Sequence, residues 1–441
     1  MSAWLLLFAL PSSLFLVNAF VVIPPSAHHR LHDYAINTAK LHAAIDGETD
    51  SAVTLDSLSV DDSSKEFASP TAVRAPLKFM GPYPVLSLSF PDLQTPSQRE
   101  KNISGIALDF VLDTGANTNT INGQVAQELQ LPVVGEIPNA VGAGGAMASG
   151  GATYQLGDAQ LENIPNSTDF TFMTNLSATA LPVANPATAG LLSFAFMQPF
   201  DGIEFQWMPS VGSVAMGVSS FDGMNEATKS DDEENKVQHP PSVTFYEEVP
   251  KSVLDDKKCV TIQRVPLTEL PTIEININGV CIPALLDTGS PITVLNAQAA
   301  KEAGIVTYEE DRKDKTESKS PLSSLNPFAG ISKNIQQAQA AQRGEVLAIM
   351  GSAGKPVNLW KSKEQVLVMA TSVDEDVDVD LGLNHVYVGD LPGLAALDKF
   401  SSASGSSTKK APAIVLGMDI LRQRPMLLQA SKNQVWFGDS Y

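Results

Sequence analysis

The sequence predicts a mostly β protein made of two similar lobes, with short helices and a pseudo-twofold axis between the lobes. An internal repeat is the first observation: residues 102–131 recur as residues 276–305, at a constant offset of 174, with 11 identities in 30 positions. Each copy also has the pattern of an apolar strand pair followed by a capped helix. Finally, an acidic stretch that ends in two prolines separates the copies, as is typical of a linker.

Both copies of the repeat have the same sequence of turn, strand and cap. The strand pair turns at Gly105 in the first copy and at Gly279 in the second, where a residue without Cβ can adopt a positive φ. The returning strand is apolar and leads into Asp-Thr-Gly. Asn122 and Asn296 follow at the position where a short helix needs an N-cap. Duplication of this unit is the reason to expect two lobes.

Composition divides the rest of the chain. A chain of 441 residues with 43% hydrophobic residues is long and apolar enough for a large buried core. We predict the following segments: a signal peptide (1–19), a largely disordered targeting or pro-segment (20–75), a first lobe (76–218), an acidic linker (219–250), and a second lobe (251–441) with an insertion at 307–345.

The N-terminal segment predicts entry into the secretory route. Residues 4–17 are almost wholly apolar and are followed by Asn-Ala-Phe, a pattern typical of a signal peptide and too short for a spanning helix. The alternative is a membrane anchor. Phe20 directly after the expected cleavage point resembles the plastid-targeting signals of algae with secondary plastids. The expected destination is such a plastid, or otherwise the exterior or a vacuole, with no stable membrane span once the signal is removed.

Charge and cysteine content exclude several classes of function. A net charge of −20 argues against a nucleic-acid partner, because phosphate binding needs clustered Lys and Arg. The histidines and the two cysteines have no metal-ligand spacing, so no metal site is expected. Cys259 and Cys281 are either one disulfide or two separate thiols.

The chemistry is carried by the Asp-Thr-Gly that follows each apolar strand. Burying a carboxylate at the end of a strand costs on the order of several kcal/mol unless neighbouring groups donate hydrogen bonds to it. The glycine supplies a tight turn whose N–H can approach the carboxylate, and the threonine hydroxyl can bond the backbone of the other lobe. Two such motifs inside one repeat predict a catalytic pair with a supporting loop: Asp113 and Asp287 as the pair, and Thr114, Gly115, Thr288, Gly289 and Ser290 as the support.

The two motifs, VLDTGA at 111–116 and LLDTGS at 285–290, resemble those of the pepsin and retropepsin superfamily of aspartic peptidases. In that superfamily each motif is followed downstream by two apolar residues and a glycine. Residues 414–421 (IVLGMDIL) match well, whereas Ser193 stands where glycine is expected in the first lobe. The resemblance implies a bilobed aspartic endopeptidase that acts on a peptide or protein substrate without a cofactor. Because both lobes lie in one chain, a monomer can complete the site.

The resemblance also implies a β-hairpin flap over the substrate. Gly144 and Gly145 are the candidates in the first lobe, and Gly351 is the candidate in the second. A plain glycine-rich loop is the alternative at each position.

Two adjacent carboxylates share one proton because both cannot ionise cheaply. The lobes differ after the motif glycine, with Ala116 in one and Ser290 in the other. We hypothesise that the Ser290 hydroxyl bonds Asp287, which would make Asp287 the base and leave the proton on Asp113. The alternative to catalysis is a non-catalytic peptide- or protein-binding protein on the same duplicated fold.

Overall fold

A computed structural model describes residues 72–441, except 104, 142–146, 163–171, 182–186, 208–240, 267, 311–337, 351–355, 374–377, 392–393, 395–396 and 398–410. The predicted signal peptide and most of the predicted pro-segment therefore lie outside the described residues, as does most of the insertion at 307–345.

The first half of the chain consists of short strands and three short helices. Its elements are β1 (Ala72–Pro76), β2 (Lys78–Met80), β3 (Tyr83–Phe90), α1 (Pro96–Glu100), β4 (Ile106–Asp113), β5 (Thr120–Ile121), α2 (Gly123–Glu128), β6 (Val133–Val141), β7 (Met147–Leu161), β8 (Met173–Ala180), β9 (Gly190–Ser193), α3 (Phe194–Met197) and β10 (Gly202–Gln206).

The second half has the same character. Its elements are β11 (Ser242–Tyr246), α4 (Lys251–Leu254), β12 (Lys258–Thr261), β13 (Gln263–Arg264), β14 (Pro271–Ile277), β15 (Val280–Leu286), β16 (Val294–Leu295), α5 (Ala297–Glu302), β17 (Val346–Met350), β18 (Pro356–Lys361), β19 (Val366–Ala370), β20 (Val379–Asn384), β21 (Tyr387–Val388), β22 (Ile414–Leu416), α6 (Met418–Leu421), β23 (Met426–Gln429), a 3₁₀ turn (Ala430–Lys432) and β24 (Gln434–Phe437).

Each lobe has its own sheet, and the two sheets have the same topology at their centres. The first sheet has the order β2-β3-β4-β9-β5-β8-β7-β6, and the second has the order β17-β18-β21-β16-β22-β15-β14-β19-β20, with β13 paired to β14. In both, the strand that leads to Asp-Thr-Gly lies parallel to the downstream apolar strand, as β4 does to β9 and β15 to β22. The prediction of a mostly β fold with duplicated lobes is confirmed.

The local elements of the repeat also agree with the sequence. Gly105 and Gly279 both have φ of 81°, a value that glycine adopts without steric cost. The side chain of Asn122 accepts the N–H of Gln124 at the start of α2, and Asn296 accepts the N–H of Ala299 at the start of α5. The predicted turns and helix caps are therefore confirmed.

A third sheet, β1-β11-β10-β23-β24-β12, joins the lobes. Its central pair is β10 of the first lobe against β23 of the second. Two of its strands fall in segments assigned otherwise from composition: β11 lies inside the predicted linker (219–250) and β1 inside the predicted pro-segment (20–75). The linker assignment is corrected for Ser242–Tyr246, whose short apolar stretch is buried only because the sheet covers it.

Aromatic side chains pack the joining sheet against the first lobe. The Phe245 ring of β11 lies 4.8 Å from the Phe172 ring and 4.9 Å from the Phe200 ring, measured between centroids. The guanidinium of Arg264, from the second lobe, lies 4.3 Å from the centre of the Phe194 ring in α3. These contacts hold the two lobes in one arrangement, which the site between them needs.

Within the described part of the chain, no helix is both long and apolar enough to cross a membrane. Cys259 is buried in β12 and Cys281 is exposed in β15, and no disulfide joins them. Among the same residues, no group of three or more His, Cys, Asp or Glu side chains could hold a metal ion.

Candidate active site

The ends of two equivalent strands bring Asp113 and Asp287 together between the lobes. β4 ends at Asp113, and Asp287 directly follows β15. The two residues are only 1% and 2% exposed. A Cβ added to Gly115 would come within 2.5 Å of the Asp287 carboxyl, and one added to Gly289 would overlap the Asp113 carboxyl. Each carboxyl therefore lies against the glycine of the opposite lobe, where only a residue without a side chain fits.

The glycine of each motif also supports its own carboxylate. The Gly115 N–H donates to Asp113 Oδ1 at 2.8 Å, and the Gly289 N–H donates to Asp287 Oδ1 at 2.9 Å. This is the tight turn predicted from the sequence. Each bond stabilises the ionised form of the carboxyl that accepts it.

The two threonines form a reciprocal set of buried hydrogen bonds across the lobes. The Thr114 hydroxyl donates to the carbonyl of Leu286 at 2.7 Å and accepts the Thr288 N–H at 3.0 Å. The Thr288 hydroxyl donates to the carbonyl of Leu112 at 2.7 Å and accepts the Thr114 N–H at 3.0 Å. The predicted bond from each threonine to the backbone of the other lobe is therefore confirmed, and it sets the distance between the two aspartates.

Ser290 does not act as hypothesised. Its hydroxyl donates to the carbonyl of Ile292 at 2.8 Å, because the loop turns back at that point. The backbone N–H of Ser290, rather than the hydroxyl, stabilises the Asp287 carboxylate. The reason for assigning the base to Asp287 is thus removed.

Burial and charge raise the pKa of both carboxyls. Burial raises the pKa of Asp113 to about 6, while a hydrogen bond from Asp287 and the N–H groups of Gly115 and Ala116 act in the opposite direction. Burial and the adjacent Asp113 charge raise the pKa of Asp287 well above its usual range. The two carboxyls therefore titrate as one coupled pair that holds a single proton between them.

The downstream strands pack beneath the two motifs in equivalent ways, except at one residue. In the second lobe, a Cβ on Gly417 would lie only 2.4 Å from the carbonyl oxygen of Ile292, so glycine is required there. In the first lobe Ser193 occupies this position and is fully buried. Its N–H and its hydroxyl both donate to Asn119 Oδ1, at 2.9 and 3.1 Å. The serine is thus accommodated by Asn119, whose counterpart in the repeat is Thr293.

Two pairs of strands flank the flap candidates in sequence. β6 and β7 pair up to Val141 opposite Met147, and β17 and β18 pair up to Met350 opposite Pro356. Gly144, Gly145 and Gly351 themselves lie outside the described residues.

Two further residues belong to the site region and were not singled out from the sequence. Tyr83, at the start of β3, is 8% exposed, and burial followed by the charges of Asp287 and Asp113 raises its pKa. Asp419, in α6, is half-buried and accepts the Thr293 hydroxyl at 2.7 Å and the Asn384 amide at 3.2 Å. Burial raises the pKa of Asp419 to about 6. Only the strand register places Tyr83 near the aspartates. Asp419 lies within the IVLGMDIL segment, but its burial is a tertiary property.

Comparison with known proteins gives a family for the first lobe. Residues 100–194 match a family described as aspartyl protease, and this segment contains Asp113, Thr114 and Gly115. No curated protein matched the chain. Two solved structures are similar. Basic 7S globulin from soybean has a TM-score of 0.38 and 10% identity, and the match covers 81% of this chain and 95% of that chain. Aspartic proteinase from Irpex lacteus has a TM-score of 0.37 and 8% identity, and the match covers 84% of this chain and 97% of that chain. The family match agrees, for residues 100–194, with the resemblance of the first Asp-Thr-Gly motif to those of aspartic peptidases.

Proposed function

We propose that this chain is an aspartic endopeptidase that hydrolyses peptide bonds in a peptide or protein substrate with a water activated by Asp113 and Asp287. One observation carries the proposal. Two buried carboxyls meet at the crossing of two equivalent loops, and each lies against the motif glycine of the other lobe. Burying two adjacent carboxyls costs free energy that the rest of the fold must offset. A pair with only a structural role would destabilise the protein without any benefit, so the arrangement favours a catalytic role.

The two carboxyls share one proton, so one of them acts as a base and the other as an acid. The ionised carboxyl of the Asp113 and Asp287 pair accepts a proton from the bound water, and the water oxygen then attacks the scissile carbonyl carbon. The protonated carboxyl donates a hydrogen bond to the carbonyl oxygen as negative charge develops there. When the C–N bond breaks, the nitrogen leaves with a proton from the pair, and the products are a free carboxyl and a free amine.

The buried threonine network supports this mechanism by fixing the carboxyls in place. Its four hydrogen bonds link residues 172 to 176 positions apart in sequence. Catalysis by two groups depends on holding both in the reactive geometry, and a displacement of about 1 Å can cost on the order of 100-fold in rate. Since one chain supplies both halves of the network, we infer that the enzyme acts as a monomer.

The cellular setting is part of the proposal. The apolar N-terminal segment supports entry into the secretory route, with a secondary plastid, the exterior or a vacuole as the destination. Finding the mature N-terminus near Phe20 in protein isolated from cells would support signal cleavage, and an intact N-terminus would contradict it.

Peptide cleavage is the direct test. The purified full chain is incubated with a diverse peptide mixture from pH 3 to 8, and products are identified by mass spectrometry. Asp113→Asn and Asp287→Asn are expected to abolish cleavage, whereas Asp255→Asn, at an exposed carboxyl, is the matched control and is expected to leave it unchanged. The carboxyl pair has to lose one of its two protons before it can act, and burial raises the pKa of Asp113 to about 6, so kcat/KM is expected to rise with pH in that region.

A binding measurement distinguishes the non-catalytic alternative. Calorimetry with a peptide analogue that carries a hydroxyl in place of the scissile carbonyl measures binding without turnover. Binding of this analogue by a chain that cleaves nothing at any pH would favour a peptide-binding protein and overturn the proposed activity.

A further inference from the structure

Strand register places Tyr83 beside Asp113 in the first lobe. β3 pairs with β4 so that Val85 stands directly opposite Val111. The recorded pairing ends there, and continuing the same register by two residues brings Tyr83 level with Asp113. Directly opposed residues of an antiparallel pair project from the same face. Tyr83 therefore shares the face on which the reactive carboxyl is presented.

The second lobe has leucine at the equivalent position. β14 pairs with β15 so that Thr272 stands opposite Leu285, where the recorded pairing ends. Continuing the same register by two residues brings Leu270, which precedes β14, level with Asp287. Leu270 is 3% exposed and packs in an aliphatic cluster around Leu285. The dyad thus has a phenol beside one aspartate and an aliphatic side chain beside the other.

The surroundings of Tyr83 fix its direction. Its ring packs with Val85, Val111, Leu191 and Ala116, and Ala116 belongs to the active-site loop itself. The charges of Asp287 and Asp113 both act on the phenol and raise its pKa further after burial has raised it. Tyr83 therefore lies next to the active-site loop and close to the carboxyls of both lobes.

We propose that Tyr83 is a specificity-determining residue that contacts the substrate side chain on one side of the scissile bond, with Leu270 as the aliphatic wall on the other side. The inference rests on the proposed peptidase function. The duplicated fold therefore carries an asymmetric cleft, since a substrate chain meets different chemistry on each side of an otherwise equivalent pair of loops.

The chemistry of the two walls sets the expected preference. An aromatic ring favours an aromatic partner in edge-to-face or offset geometry, and the phenol hydroxyl can donate to and accept from a polar group. On the Tyr83 side, aromatic side chains are expected to be preferred over aliphatic ones of similar size by about 3-fold to 10-fold in kcat/KM. On the Leu270 side, the preference is expected to be for aliphatic side chains.

The test compares cleavage profiles of the full chain and its variants on one peptide mixture, read by mass spectrometry. Tyr83→Leu, which copies the other lobe, is expected to remove the aromatic preference on one side of the scissile bond and to leave the other side unchanged. Tyr83→Phe is expected to keep the aromatic preference and to lose only discrimination between polar and apolar side chains. Tyr246→Phe, at an equally buried tyrosine in the joining sheet, is the control and should leave the profile unchanged.

Three outcomes would overturn the proposal. An unchanged profile in Tyr83→Leu, with or without a uniform loss of rate, would assign Tyr83 a structural role, with circular dichroism reporting whether the variant is folded. Equal changes on both sides of the scissile bond would contradict the asymmetric cleft. Failure of the proposed function looks different, because the unmodified chain would then cleave no peptide at all, and both proposals would fall.

Discussion

Replacing Thr114 with valine tests the hydrogen-bond network that holds the two aspartates in place. Valine keeps the shape of the side chain but removes the hydroxyl, so the Leu286 carbonyl and the Thr288 N–H lose their buried partners. Each buried polar group left without a partner costs about 1–3 kcal/mol. The two together predict a loss of roughly 2–6 kcal/mol in the free energy of unfolding, which is a large part of the 5–15 kcal/mol typical of a folded domain.

Urea unfolding followed by tryptophan fluorescence measures this loss, and Thr114→Ser is the matched control. Serine keeps the hydroxyl and loses only a buried methyl group, at a cost of about 1 kcal/mol. The Val variant is also expected to lose on the order of 100-fold in kcat, because the loops are no longer held in register. Equal losses of unfolding free energy in the valine and serine variants would mean that the hydroxyl contributes no more than the methyl group. The hydrogen-bond network would then not be what joins the loops.

Two other predictions follow from the site. Gly115→Ala places a Cβ within 2.5 Å of the Asp287 carboxyl and should separate the pair, so cleavage and binding of the hydroxyl-bearing analogue should both fall by at least about 100-fold, while circular dichroism remains native. Asp419 has a pKa of about 6 in the folded protein and about 3.8 in the unfolded chain, so its contribution to the free energy of unfolding is fully present below pH 4. About 3 kcal/mol of that contribution is lost as the pH rises through 6. Asp419→Asn should remove this pH dependence in urea unfolding at pH 4 and 7, and identical slopes in variant and parent would contradict the assignment.

The sequence predicted the parts of the fold and site that depend on local geometry and on repetition. Gly105 and Gly279 were identified as turn residues because only glycine takes their φ at no cost, and the repeat made the pairing of Asp113 with Asp287 a consequence of symmetry. The threonine bonds across the lobes followed from the same reasoning. In each case the evidence is a short pattern that occurs twice.

The parts that were not predicted depend on tertiary contacts. The Ser290 hydroxyl has more than one acceptor within reach, and only the path of the loop decides that it bonds Ile292. β11 is too short and too close to an acidic stretch to be recognised without its neighbours in the joining sheet. Tyr83 lies outside the repeat, and its place beside Asp113 depends on a strand register that the sequence of β3 alone does not determine.

The asymmetry of the site arises from residues outside the duplicated motif. Inside the motif, the bonds from Gly115 and Gly289 and those of the two threonines are nearly identical in length, so they hold the carboxyls without distinguishing them. Tyr83 has no tyrosine counterpart in the second lobe, and Ser193 replaces a glycine that the second lobe requires. Two equivalent lobes can position a reactive pair, but a peptide chain runs from its N-terminus to its C-terminus and has no twofold symmetry. Selection of one orientation therefore has to come from positions where the lobes differ, and we assign it to Tyr83, whose apolar cluster includes Ala116 of the active-site loop.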